Sequence, residues 1–128
     1  MNYHISKIVD YKFDEAIIKV TEELKEKGFG VLTEIDIKET LKKKLDVDFK
    51  KYKILGACNP NFAHKALLAE DKIGTMLPCN VIVEEHEDGS VEVSAVNPMA
   101  SMQAVKNEKL GPIAEEVQSS LTQVITNI

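Results

Sequence analysis

No segment of the chain approaches the roughly 20 consecutive apolar residues that a membrane-spanning helix requires. The opening stretch, Met1-Asn2-Tyr3-His4-Ile5-Ser6-Lys7, also lacks the apolar run of a signal peptide. Together these absences point to a cytoplasmic protein with no membrane partner. Cysteine is scarce: there are two, Cys58 and Cys79, and no C-x-x-C. The usual redox and zinc-knuckle spacings are therefore missing, and in a reducing compartment two such residues are expected to be free thiols rather than a structural bridge.

Aromatic residues make up only 5% of the sequence, and the charge balance is acidic, with 16 Lys and Arg against 21 Asp and Glu for a net charge of −5. A nucleic-acid reader needs a concentrated basic surface and stacking platforms, so no nucleic-acid partner is expected. The one basic run, Lys42-Lys43-Lys44 followed by Lys50-Lys51, is interleaved with Asp46 and Asp48 and reads as a solvated face or as an anion or partner patch. There is no phosphate-binding glycine loop, no G-x-S-x-G and no H-E-x-x-H. The acidic residues show no pair set apart for acid/base work, so any catalysis would run through the cysteines.

What remains is an ordinary globular composition, 44% hydrophobic and 29% charged over 128 residues. That suits one domain over residues 1–128, burying roughly two-thirds of its unfolded surface. A first strand is expected over Tyr3 to Val9. Phe13, Ala16, Ile17, Val20 and Leu24 then recur at helical spacing, and Gly28 supplies the left-handed residue that ends the helix. A second strand follows from Gly30 to Ile35, with Val31, Thr33 and Ile35 expected on one face. Asp36 caps a short amphipathic helix carrying Ile37, Leu41 and Leu45, with Glu39 three residues on. A third, interior strand runs from Tyr52 to Cys58. Near the C-terminal end, Ile113, Val117, Leu121 and Val124 mark a last helix from about Pro112 to Ile125. The expected architecture is a two-layer α+β domain, a mostly antiparallel sheet packed by helices in the order β-α-β-α-β-α-β-β-α.

Two echoing stretches stand out within that frame, Gly56-Ala57-Cys58-Asn59-Pro60 and Leu77-Pro78-Cys79-Asn80-Val81. Asn59-Pro60 is a compact helix start, an Asn cap with Pro at the first helical position. Cys58 thus precedes a helix N-terminus, where free N–H groups and the dipole lower a thiol pKa or hold an anion; its alternative role is that of a small packing residue. Cys79 opens the hairpin around Asp88-Gly89, the preferred type I′ turn pair. A two-residue turn there sets Val81 opposite Val96 and Asn80 opposite Asn97. The Asn97-Pro98 helix start would then share the neighbourhood of Cys79 and Asn80.

These residues carry a resemblance. The two Cys-Asn motifs, Ala63, Ala66-Leu67, Gly74, Asn97-Pro98, Gly28-Phe29-Gly30-Val31-Leu32-Thr33-Glu34, Lys44-Leu45 and Tyr52-Lys53-Ile54-Leu55 together resemble the signature of the domain-of-unknown-function 302 family. Asn97 departs from the pattern, standing where that family commonly has an acidic residue. The resemblance extends over nearly the whole chain and implies a compact α+β domain with an antiparallel sheet, forming a homodimer. It implies no activity.

Three chemistries fit the motifs. Cys58, with Cys79 resolving it or binding beside it, would serve thiol-reactive or sulfur-handling work. Cys58 and Cys79 with Met76, Met99, Met102 or His64 would serve a soft metal, copper or zinc, although methionines in such places also fill cores. Cys58, Asn59, Cys79, Asn80 and Asn97 would bind a small polar molecule or anion, the asparagine amides both donating and accepting; the bland alternative is a dimer module whose asparagines only cap helices. His4 and His86 are read as surface residues, His86 beside the acidic hairpin tip.

Overall fold

The computed structural model describes residues 2–128. Its centre is one five-stranded, wholly antiparallel sheet in the order β1-β5-β4-β3-β2, with β1 His4–Val9, β2 Gly30–Asp36, β3 Tyr52–Cys58, β4 Cys79–Glu85 and β5 Val91–Val96. The helices are α1 Phe13–Glu26, α2 Ile37–Leu45, α3 Pro60–Ala69, the single turn α4 Pro98–Ser101, and α5 Leu110–Thr126; a 3₁₀ stretch, Asp71–Met76, links α3 to β4. This is the α+β order expected from the sequence. Among the described residues no helix is long and apolar enough to cross a membrane.

Alternation along the strands gives the sheet two unlike faces. One carries Leu55, Ala57, Val81, Val83, Val91, Val93 and Ala95, all buried against Ala16, Val20 and Leu24 of α1 and Val117, Leu121 and Val124 of α5. Lys7 fastens the first strand to this layer, its ammonium donating to the Thr126 carbonyl at 3.0 Å, near the negative end of α5. α1 ends as its sequence suggests: Gly28 takes φ +82° and Phe29 N–H donates to the Leu24 carbonyl at 2.9 Å. The opposite face carries His4, Ser6, Ser94, Glu92, Asn80, Ile82, Glu84 and Tyr52, and these line an open cavity of about 500 Å³.

Two register details differ from expectation. A bulge at Leu32 sets Val31 against Ala57 but Thr33 against Gly56, so Val31 packs toward the helices while Thr33 lies on the opposite face. The hairpin turns through three residues: His86 N–H donates to the Ser90 carbonyl, Gly89 N–H to the His86 carbonyl, and Gly89 has φ +86°. This is a turn closed by a glycine bulge, and it moves the ladder by one, pairing Val81 with Ala95. Asp88 fixes the turn by accepting from the Ser90 hydroxyl at 2.7 Å and its N–H at 2.9 Å, which holds the Asp88 carboxyl below the usual carboxylate range. The Asn80–Asn97 pairing that a two-residue turn would impose does not form.

α2 also departs from its pattern. Asp36 caps it as expected, accepting from Glu39 N–H at 3.0 Å. Yet none of its residues is buried, and Leu45 is 66% exposed.

Candidate functional site

The end of β3, the start of α3 and the segment Leu77-Pro78-Cys79 enclose a crevice whose floor is made by Pro98, Met102 and the α5 residues Ile113, Ala114 and Val117. Its free volume is about 30 Å³, room for about two waters. Cys58 and Cys79 both line it, and both are free thiols. Register explains the meeting: Ala57 pairs with Cys79 on the adjacent strand, so Cys58 stands one residue from Cys79's ladder partner.

The crevice walls are almost wholly apolar, and that governs the chemistry. Burial first, and the negative charge of the neighbouring Cys58 second, push the Cys79 thiol from an ordinary 9.0 up to about 11. Cys79 is therefore a neutral thiol throughout the physiological range.

Gly56, next along β3, is required by close packing. A Cβ there would fall on the Thr33 hydroxyl and within 2.9 Å of Pro78 Cγ. Its absence lets the proline before Cys79 lie against the strand.

The three asparagines separate. Asn59 stands at the rim of the crevice. Its side-chain carbonyl accepts from Asn61 and Phe62 N–H at 3.1 and 3.4 Å, and its amide donates to the Lys27 carbonyl at 3.2 Å, joining the end of α1 to the start of α3. The N–H groups that would attract an anion at this helix end are thus engaged by the cap itself. Asn97, 6% exposed, caps α4 through Met99 N–H, accepts from Gln118 Nε2 at 3.1 Å and donates to the Asn2 carbonyl at 2.9 Å. Asn80 pairs with Gly56 and faces the cavity on the other side of the sheet, away from the thiols.

Of the soft-metal candidates, Met102 shares the crevice with both cysteines. Met99 lines a separate shallow hollow with Met102 and Leu110, while Met76 and His64 are exposed. Cys58, Cys79 and His64 do not come together as a metal-ligand group among the described residues.

A second polar cluster was not anticipated. Glu84 and Glu92 face each other directly across the β4–β5 ladder, and His86 Nε2 lies 2.9 Å from Glu92 Oε1. Lys50 Nζ sits 2.6 Å from Glu84 Oε1. Tyr52, opposite Glu84 on β3, has its phenol raised by burial first and by the Glu84 charge second. The signal was present as Glu84-x-His86 on one strand face, but only the three-residue turn brings Glu92 opposite. His86, read as a surface residue, is half-buried.

Comparison with known proteins completes the description. The family model described as Domain of unknown function DUF302 matches residues 5–128. The crystal structure of an uncharacterized conserved DUF302 protein from Bacillus stearothermophilus superposes with a TM-score of 0.92 at 28% identity, covering 98% of each chain. No curated protein matches.

Proposed function

This chain belongs to the DUF302 family of domains of unknown function, a membership that names no activity, and we propose from its crevice that it is a thiol-dependent small-molecule-binding protein. The supporting observation is the placement of two free thiols in one apolar crevice, where the charge of one opposes ionisation of the other. Because Cys79 keeps its proton, Cys58 is the group that attacks. Its natural substrate class is a low-molecular-weight disulfide or a comparable sulfur electrophile with a small apolar end.

With a disulfide the sequence balances. The Cys58 thiolate attacks one sulfur, the substrate S–S bond breaks, and the departing thiolate takes the Cys79 proton. The Cys79 thiolate so formed attacks Cys58 Sγ, and the second substrate half leaves as a thiolate that takes a proton from water, leaving a Cys58–Cys79 disulfide. The two thiols have supplied two electrons to the substrate. A reducing, cytoplasmic setting would return them.

The small-molecule reading is favoured over anion capture because Asn59 already occupies the α3 N–H groups. A soft metal held by Cys58, Cys79 and Met102 is the competing occupant. The deciding experiment treats the full chain and its Cys79→Ser variant with oxidised glutathione, followed by peptide mass mapping. A mixed disulfide accumulating on Cys58 in Cys79→Ser, and an internal disulfide in the parent, is the expected result. Reaction at Cys58 no faster than in the urea-unfolded chain would sink the reading, and retention of copper under native mass spectrometry would favour the metal instead.

A second observation supports a homodimer. Leu32, Ile35, Leu45, Val47 and Phe49, in and around β2 and α2, are all exposed, and β2 is an open sheet edge. Several large apolar side chains left in water along an open strand edge suit pairing with a second copy.

A further inference from the structure

Away from the thiol crevice, on the opposite face of the sheet, we infer a binding site for a first-row divalent cation of the zinc class, formed by Glu84, His86 and Glu92. One ligand atom from each lies within 4.8 Å of the others. The backbone dictates this gathering. Glu84 and His86 are two residues apart, so their side chains leave the same face, and the register sets Glu92 directly across from Glu84. Two carboxylates and one imidazole are a donor set that zinc and its neighbours accept.

The electrostatics point the same way. Like charges directly opposite each other on a ladder are destabilising, and both side chains are largely withdrawn from solvent, Glu84 to 13% and Glu92 to 26% exposure. Among the described residues Lys50 is the one permanent cation in contact, and it engages Glu84. The two carboxylates outnumber the one Lys50 ammonium that meets them, and a divalent ion complements that excess.

The position is also that of a reactive rather than a sealed site. Glu84 and Glu92 form one wall of the cavity of about 500 Å³, with Tyr52, Ser6 and Ser94 on the others. Three protein ligands, two of them lining the cavity, leave a coordination position open to water or an incoming oxygen ligand, whereas structural zinc sites close all four.

The test uses the full chain carrying Cys58→Ser and Cys79→Ser, so that thiols cannot supply the metal site, titrated calorimetrically with zinc alone. One equivalent should bind. Glu92→Gln and His86→Ala in that background should each weaken it at least about tenfold, a loss commonly caused even by changing a group that only hydrogen-bonds to a metal's ligand. Cobalt(II) should give visible bands without the intense near-ultraviolet thiolate absorption. Glu84→Gln, which keeps shape and volume, repeats the test if His86→Ala fails to give the parent's circular dichroism spectrum. Absence of binding in the cysteine-free chain, or affinity unchanged in Glu92→Gln and Glu84→Gln, would overturn the proposal.

Discussion

At the scale of single residues, Cys79 and Gly56 have the most measurable consequences. The Cys79 thiol rises from 9.0 to about 11 on folding. Below pH 9 it is protonated in folded and unfolded chains alike and gives stability no pH slope. Between 9 and 11 the unfolded chain releases this proton while the folded chain keeps it, so stability falls as pH rises, by about 2–3 kcal/mol in all. Urea unfolding of Cys79→Ser against the parent across pH 8–11 should show this extra slope only in the parent. In Cys58→Ser the rise should be smaller, since the charge of Cys58 contributes to it. For Gly56→Ala, the new methyl meets the Thr33 hydroxyl and Pro78, and overpacking of this kind costs about 1–3 kcal/mol. Denaturant midpoints would register the loss, and thiol alkylation rates would report whether the crevice opens with it.

At the scale of elements, most of the pattern was legible because apolar spacing and caps act locally. Phe13, Ala16, Val20 and Leu24 become the buried stripe of α1, Asn59-Pro60 starts α3, and Asp36 caps α2. What was not legible depended on two backbone choices that side-chain pattern does not specify. Asp88-Gly89 is compatible with a two-residue or a three-residue turn, and it is the Ser90 hydrogen bonds to Asp88 and the His86–Ser90 backbone pair that accompany the longer one. Likewise Leu32 is the extra residue between the Val31–Ala57 and Thr33–Gly56 pairs, a register shift that the apolar alternation of the strand does not announce. The meeting of Cys58 and Cys79 was foreseeable from adjacent strands, whereas the departure of Asn80 to the other face followed from alternation alone. α2, amphipathic yet without a buried residue, should exchange its amide hydrogens sooner than α1 and α5, whose apolar faces are sealed. Protection in α2 equal to that of α5 in a monomer would contradict the exposure seen here.

At the scale of the whole molecule, the two faces of one sheet carry unlike side chains, thiols toward the helices and carboxylates toward the open cavity. The proposed pairing of copies belongs here as well. Sedimentation velocity should give a dimer, and Leu45→Glu should shift it to monomer with little change in the fold, because Leu45 is already 66% exposed in the single chain. The topology carries a further consequence for synthesis. α1 conveys the chain from one outer edge of the sheet to the other, so both strands made first are flank strands, and β1 pairs only with β5, Val91–Val96. At ribosomal rates of about 5–20 residues per second, roughly 4–16 s separate the emergence of the two. For that interval the opening strand has no neighbour, although β2, β3 and β4 can pair and meet α1 as they emerge, and the nascent chain can reach its final form only after nearly all of it has been translated.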